Sequence, residues 1–282
     1  MQERNLLLPS ETSPRPGLSE RIDKLLFYLN HRFPAVKGWC RPEVFLACAA
    51  LRARQESLFT RGGVFEIGVH RGRFFAGLAL LVGPVVPSLA IDLFDADHLR
   101  LDASGMGADR AALDELLAAI CRDHRIDVRA MDSLSLGPVE RVRLAQEFGR
   151  FAFVSVDGGH TVEHVYSDFE TAEALIAPGG VVMFDDYYSA RWPGVHDAVT
   201  RHFHMRMPRI VPFAFFARKL WLTTASHHAA MLDAMEAEFQ PDAGVAAHAA
   251  KMFGYATLVV DVREPAFDLT ARLQGLASQR AP

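Results

Sequence analysis

The chain has 282 residues, half of them hydrophobic, enough apolar surface to bury one full core with appendages. Its formal charge of −4 is spread without a basic block, which argues against a nucleic-acid backbone as the main partner. No apolar run reaches the ~18–20 residues that cross a bilayer, and Cys40, Cys48 and Cys121 lack the spacing of a disulfide framework or a thiolate zinc site, so the expectation is a protein of the reduced cytoplasm that acts on a small molecule, with no membrane and no nucleic acid as partner.

Residues 1–17 read as a polar, Pro-containing flexible leader without the apolar stretch of a signal peptide. Ile22, Leu25, Leu26 and Leu29 then recur at helical spacing behind Ser19 as a cap, and a second helix is predicted over 42–57. From Gly63 short β-rich runs alternate with longer helical ones, the signature of βα units that feed a parallel sheet. Strands are predicted at 64–67, 88–92, 127–130, 151–156 and 181–184, and helices at 73–81, 108–123 and 161–177, the last one stopped by Pro178-Gly179-Gly180. The runs 210–216 and 219–223, a short turn apart, read as an antiparallel hairpin. Two Ala-rich helical stretches follow, then an extra strand over 255–262 whose partner the sequence does not name. The chain divides accordingly into a leader and helical appendage (1–61), a cofactor-binding core (62–224) and a C-terminal helical extension with an extra strand (225–282).

The first strand runs into Glu66-Ile67-Gly68-Val69-His70-Arg71-Gly72, where Gly68 and Gly72 open a tight strand-to-helix turn and let a ligand approach the backbone. A dinucleotide fingerprint would place glycine at 70, and Glu66 would repel a pyrophosphate; both disfavour a nicotinamide-dependent oxidoreductase, the competing enzyme reading. The same carboxylate suits a ligand that carries an ammonium and a sulfonium, as S-adenosylmethionine does. Asp92 closes the second strand, where an acid accepts hydrogen bonds from both ribose hydroxyls, and Asp132 follows the third strand near an adenine; a helix-start turn and solvated strand-end acids are the plainer alternatives.

Strand 151–156 ends in Asp157-Gly158-Gly159-His160 and strand 181–184 in Asp185-Asp186-Tyr187-Tyr188. As parallel neighbours, about 4.8 Å apart, they would bring three repelling acids together, so either their pKa values rise or a cation sits among them, and all-oxygen ligation favours Mg²⁺ over zinc. Such an ion would grip two oxygens of a diol and acidify the one to be methylated. The alternative is that Asp157 or Asp186 caps a helix or faces water. His160 is a candidate general base beside Asp157, with a capping role as the alternative. His160-Thr161-Val162-Glu163-His164 also matches the H-x-x-E-H pattern of some zinc peptidases, but it falls on a crossover helix with no third ligand evident. Tyr187, Tyr188 and Trp192 form an aromatic loop that would wall a pocket or pack on the sheet.

On these residues, and above all on the stretch 154–199, VSVDGGHTVEHVYSDFETAEALIAPGGVVMFDDYYSARWPGVHDAV, the chain resembles class I S-adenosylmethionine-dependent methyltransferases, closest to the bacterial macrocin-type group of natural-product sugar O-methyltransferases. The resemblance covers about 62–224. It implies an α/β, Rossmann-like, doubly wound sheet of seven strands, mostly parallel with the last strand antiparallel and helices on both faces. It further implies that Glu66, Gly68, Gly72 and Asp92 hold the methyl donor and that Asp157, Asp185 and Asp186 occupy the Mg²⁺ positions. His70 departs from the more glycine-rich form of the first motif. The expected activity is Mg²⁺-assisted O-methylation of a hydroxyl-bearing small molecule, with a non-catalytic cofactor-binding module as the reading from outside enzymology. The terminal appendages are expected to cover the pocket or to build a homodimer.

Overall fold

A computed structural model describes residues 16–99, 101–102 and 107–278, so the leader read over 1–17 lies, except for its last two residues, outside the described residues. The strands are β1 (Val64–Ile67), β2 (Ser88–Asp92), β3 (Ile126–Ala130), β4 (Phe151–Val156), β5 (Ile176–Phe184), β6 (Ile210–Phe216), β7 (Lys219–Thr224), β8 (Val245–Met252) and β9 (Tyr255–Val262). They form one sheet in the order β3-β2-β1-β4-β5-β7-β6-β9-β8. β1, β2, β3, β4 and β5 pair in parallel, and β7 runs antiparallel to both β5 and β6. Every residue of β1, β2 and β4 is buried, which is why these runs are apolar on both faces, apart from Glu66, Ser88, Asp92 and Ser155, rather than alternating.

The helices are α1 (Leu18–His31), α2 (Val44–Ser57), α3 (Phe75–Val82), α4 (Arg110–Ile120), α5 (Pro138–Phe148), α6 (Val162–Leu175), α7 (Pro193–Met205), α8 (His228–Glu238) and α9 (Leu269–Ser278). α1 to α4 with α8 and α9 cover one face of the sheet, and α5 to α7 cover the other. α1 buries Ile22, Leu25, Leu26 and Leu29 as the spacing predicts, but its N-cap is Gly17, and Ser19 lies inside the helix. α6 starts behind Thr161, whose side chain accepts the His164 amide, and it ends at Leu175. The Pro178-Gly179-Gly180 run therefore stops nothing: it lies within β5, at the point where the β4–β5 register shifts. α5 was not expected, since it buries only Leu144 and Phe148 and offers little periodicity.

The Rossmann-like architecture and the antiparallel strand agree with expectation, but the sheet has nine strands, not seven. β9 pairs in parallel with β6, burying Leu258, Val260 and Val262 at a period of two, and β8 pairs antiparallel with β9 through the tight Phe253-Gly254 turn. The Ala-rich stretch read as a second helix is thus β8: the outer edge of β9 offers a ladder of hydrogen bonds, and that tertiary pairing overrides the helical preference of alanine. Because β9 is flanked on both sides and β8 is the sheet edge, amide exchange should be slower along β9 than along β8, as mass spectrometry would read it. Loop-like exchange at Leu258, Val259 and Val260 would contradict the extended sheet.

Candidate active site

A cleft of ≈ 1440 Å³ opens at the carboxyl ends of the parallel strands. Register explains its lining. Ile67 pairs with Val156 and Val156 with Phe184, so the residues that follow each strand emerge side by side. Phe184 pairs with Leu220 on the antiparallel β7, which sets Lys219 opposite Asp185. Glu66, Gly68, Asp92, Asp132, Asp157, His160, Asp185 and Asp186 all line this one cleft.

Gly72 does not. Its φ of +77° suits glycine, and a Cβ there would lie 2.4 Å from Leu113 Cδ1, so its constraint is packing against α4. Gly68, at φ +84°, would place a Cβ 2.0 Å from the Asp157 carbonyl oxygen. The close approach that requires this glycine is between the loops after β1 and β4. His70 also takes a left-handed φ of +53°, and its amide donates to Asp92 Oδ2 at 2.7 Å, while the Phe94 amide donates to Oδ1 at 3.1 Å. Asp92 is thereby fixed with its remaining lone pairs on the cleft. Asp132 accepts the Leu134 amide at 2.9 Å and lies 3.7 Å from His164 Nε2.

Glu66 is 3% exposed, and its Oε2 is buried without a hydrogen-bond partner. Burial pushes its carboxyl up to about 8, against the pull of Lys219. Burial likewise raises Asp157 well above the usual carboxylate range, with Asp185 adding repulsion. Burial would raise Asp186 as well, but contacts with His160 and Arg218 outweigh it and hold that carboxyl low.

The cation anticipated among the acids is the chain's own. Lys219 Nζ lies 2.5 Å from Asp185 Oδ2 with its side chain 4% exposed, and Asp185 and Asp157 hold its ammonium above the ordinary lysine value despite burial. Asp185 Oδ1 accepts the Asp186 amide at 2.9 Å, so both of its oxygens are engaged. Asp186 pairs with Arg218. The His160 Nε2 stands 3.7 Å from Asp157 and 3.6 Å from Asp186, and the ligand atoms of Asp157, His160 and Asp186 lie within 4.8 Å of one another. Of the three expected metal residues, the structure thus gathers Asp157 and Asp186 around His160, with Asp185 turned to Lys219. His160 is also held by Asp102, which accepts its amide at 2.6 Å, and by Trp192, stacked at 4.6 Å. Sequence reasoning missed Asp102, Arg218 and Lys219; for the last two, charges at the tip of an apolar hairpin were the available signal. In the H-x-x-E-H run, His160 precedes α6, Glu163 is exposed and His164 turns to Asp132, so its three groups do not converge.

A Rossmann-like sheet with an acidic cleft at its carboxyl edge is the arrangement that the comparisons with known proteins also return. Residues 65–187 match the family model described as a methyltransferase domain. The chain is similar to mycinamicin VI 2''-O-methyltransferase of Micromonospora griseorubida, 29% identical over 86 residues that cover 30% of this chain and 19% of that protein. It is similar also to demethylmacrocin O-methyltransferase of Streptomyces fradiae, 39% identical over 51 residues, 18% of this chain and 13% of the relative. The matched segments thus span no more than 19% of either curated relative. Among solved structures, the calicheamicin methyltransferase CalS11 superposes with a TM-score of 0.52 at 20% identity, covering 73% of this chain and 91% of that one. The O-methyltransferase NovP gives 0.50 at 14% identity, covering 73% and 97%. At these identities the likeness speaks for the fold.

Two outcomes follow. Gly68→Ala should cost roughly 2–4 kcal/mol of stability, because the Asp157 backbone has no room to retreat; a melting temperature within a degree of the parent would refute the close approach. For Glu66, between the ordinary carboxylate value and about 8 the folded chain keeps a proton that the unfolded chain has released, so this group makes stability fall as pH rises through that window. Glu66→Gln should therefore melt above the parent at pH 8.5, by about 2–4 °C per kcal/mol relieved, with the gap closing toward pH 4. Calorimetry that finds a pH-independent gap would contradict this.

Proposed function

We propose that the protein is an S-adenosylmethionine-dependent methyltransferase that methylates a hydroxyl of a small molecule, a sugar or related natural product, with a divalent ion such as Mg²⁺ assisting. The observation that carries this reading is Glu66: a buried carboxylate oxygen without a hydrogen-bond partner, at a cleft whose rim also bears Asp92 and Asp157. Leaving such an atom unsatisfied is costly unless a ligand completes it, and the ammonium and sulfonium of the donor supply both a hydrogen bond and the opposite charge. A dinucleotide pyrophosphate would meet repulsion there.

The donor supplies an electrophilic methyl group on a cationic sulfur, and the divalent ion supplies positive charge at two oxygens of a diol. The chain does the rest. Glu66 takes the methionyl ammonium, Asp92 the ribose hydroxyls and Asp132 the adenine end, with Gly68 and Gly72 setting the loop between them. Asp157 and Asp186 hold the ion through oxygen donors, which fits a hard cation. Asp185 stands behind them, its charge balanced by Lys219. His160 would take the proton of the acceptor hydroxyl when that oxygen receives the donor's methyl group, the donor's sulfur serving as the leaving group. Asp102 holds the His160 backbone and Trp192 stacks on its ring, which positions the imidazole for that transfer. Trp39, 76% exposed, and Tyr188, 61% exposed, flank the open side, where apolar rings suit the faces of a glycosidic acceptor. The names of both curated relatives describe transfer to oxygen, which supports a hydroxyl acceptor.

The core 62–224 carries these groups, whereas Gly38, Trp39, Cys40 and Arg41 of the preceding segment line the cleft from outside it. Calorimetry should give a Kd of about 1–100 μM for S-adenosylmethionine, some −8 to −5 kcal/mol, and no heat with NADH; the reverse pattern would restore the nicotinamide reading. Asp157→Asn should retain donor binding and lose about 10²-fold or more in methyl transfer to diol acceptors. Donor binding without transfer to any polyol in the parent protein would leave a non-catalytic binder.

A further inference from the structure

The loop that bears the acid pair is docked on the tip of the β6–β7 hairpin. The two turn residues, Ala217 and Arg218, take φ of +52° and +67°, the type I′ geometry that asparagine and glycine ordinarily fill, and Asp186 across from them is left-handed too, at +54°. The Tyr187 amide donates to the Arg218 carbonyl at 3.3 Å, tying the two loops together. Non-glycine residues persist in this backbone region only where their surroundings hold them there. The turn delivers two cations to two adjacent carboxylates: Lys219 to Asp185 and Arg218 to Asp186.

The two pairs differ in depth. The Lys219 side chain is 4% exposed and cannot leave without stranding a buried charge, whereas that of Arg218 is 65% exposed and can swing into water. Asp186 is also the carboxylate whose oxygen faces Asp157 and His160 in the one cluster, among the described residues, that has the geometry for an ion. Guanidinium and divalent ion thus address the same carboxylate, one at each oxygen, and two cations held that close repel each other.

Resting on the reading of Asp157 and Asp186 as the divalent-ion site, we propose that Arg218 is a displaceable gate on that site, paired with Asp186 until an ion enters, while Lys219 is a fixed counter-ion that keeps Asp185 out of the coordination set. The resting site is therefore charge-balanced without an ion, and ion affinity is set by how easily Arg218 lets go.

The test is Mn²⁺ binding to the full chain without donor or acceptor, read as the free-ion signal in electron paramagnetic resonance. Arg218→Gly removes the guanidinium while suiting the left-handed turn, so folding is not at risk. It should bind Mn²⁺ roughly tenfold more tightly than the parent, and Arg218→Lys, which restores a cation, should return to within about twofold of it. Equal or weaker binding by Arg218→Gly overturns the gate and leaves the metal site standing. Mn²⁺ binding by neither protein at millimolar concentration overturns both. Arg218→Gln, which keeps the strained turn but carries no charge, should share the tightening; a tightening confined to Arg218→Gly assigns the effect to relief of turn strain and overturns the gate, as does one that Arg218→Lys fails to reverse.

Discussion

Glu66, Asp157, Asp185 and Asp186 meet at one edge of the sheet, and the ammonium of Lys219 among them makes that meeting stable. Without it, Asp157 and Asp185 would face each other from the ends of adjacent strands with no lysine between them, and burying unpaired like charges is unfavourable. With it, Asp185 is neutralised in place, Asp157 is left with a raised proton affinity, and Glu66 stays buried without a full partner. Glu66 and Asp157 are the acids left for a sulfonium donor and a divalent ion to engage.

Topology fixes the interaction. Parallel pairing of β1, β4 and β5 ends three strands at one level, and the antiparallel return of β7 is what allows a residue at the start of a strand, rather than at its end, to reach the same edge. An all-parallel sheet would put that lysine at the opposite side of the molecule. The hairpin turn must then be tight, and its left-handed Ala217 and Arg218 show strain accepted to set the two cations.

Much of this was legible in the residues. Continuous apolar runs marked the buried strands, and acids or glycines at their ends marked the ligand edge; β1, β2, β4 and β6 fall where the patterning put them. Local pattern failed where pairing decided the outcome. The Ala-rich β8 is a strand only because β9 lies beside it, and α5 buries too few residues to signal its period. At the site, Glu66, Asp92, Asp157 and His160 share the cleft as strand-end logic requires, while Gly72 was misjudged because a helix, not a ligand, occupies the space beside it. Asp102 lay beyond reach, since it meets His160 across a long stretch of sequence that only the fold closes, and the charge of Lys219 at a hairpin tip was visible but its partner was not.

The most direct test of the central claim is electron density from crystals grown with S-adenosylmethionine and Mg²⁺. The account predicts the donor's ammonium within about 3 Å of Glu66 Oε2, its ribose on Asp92 and its methyl group directed toward His160. A donor bound elsewhere, or one whose carboxylate rather than ammonium meets Glu66, would contradict it.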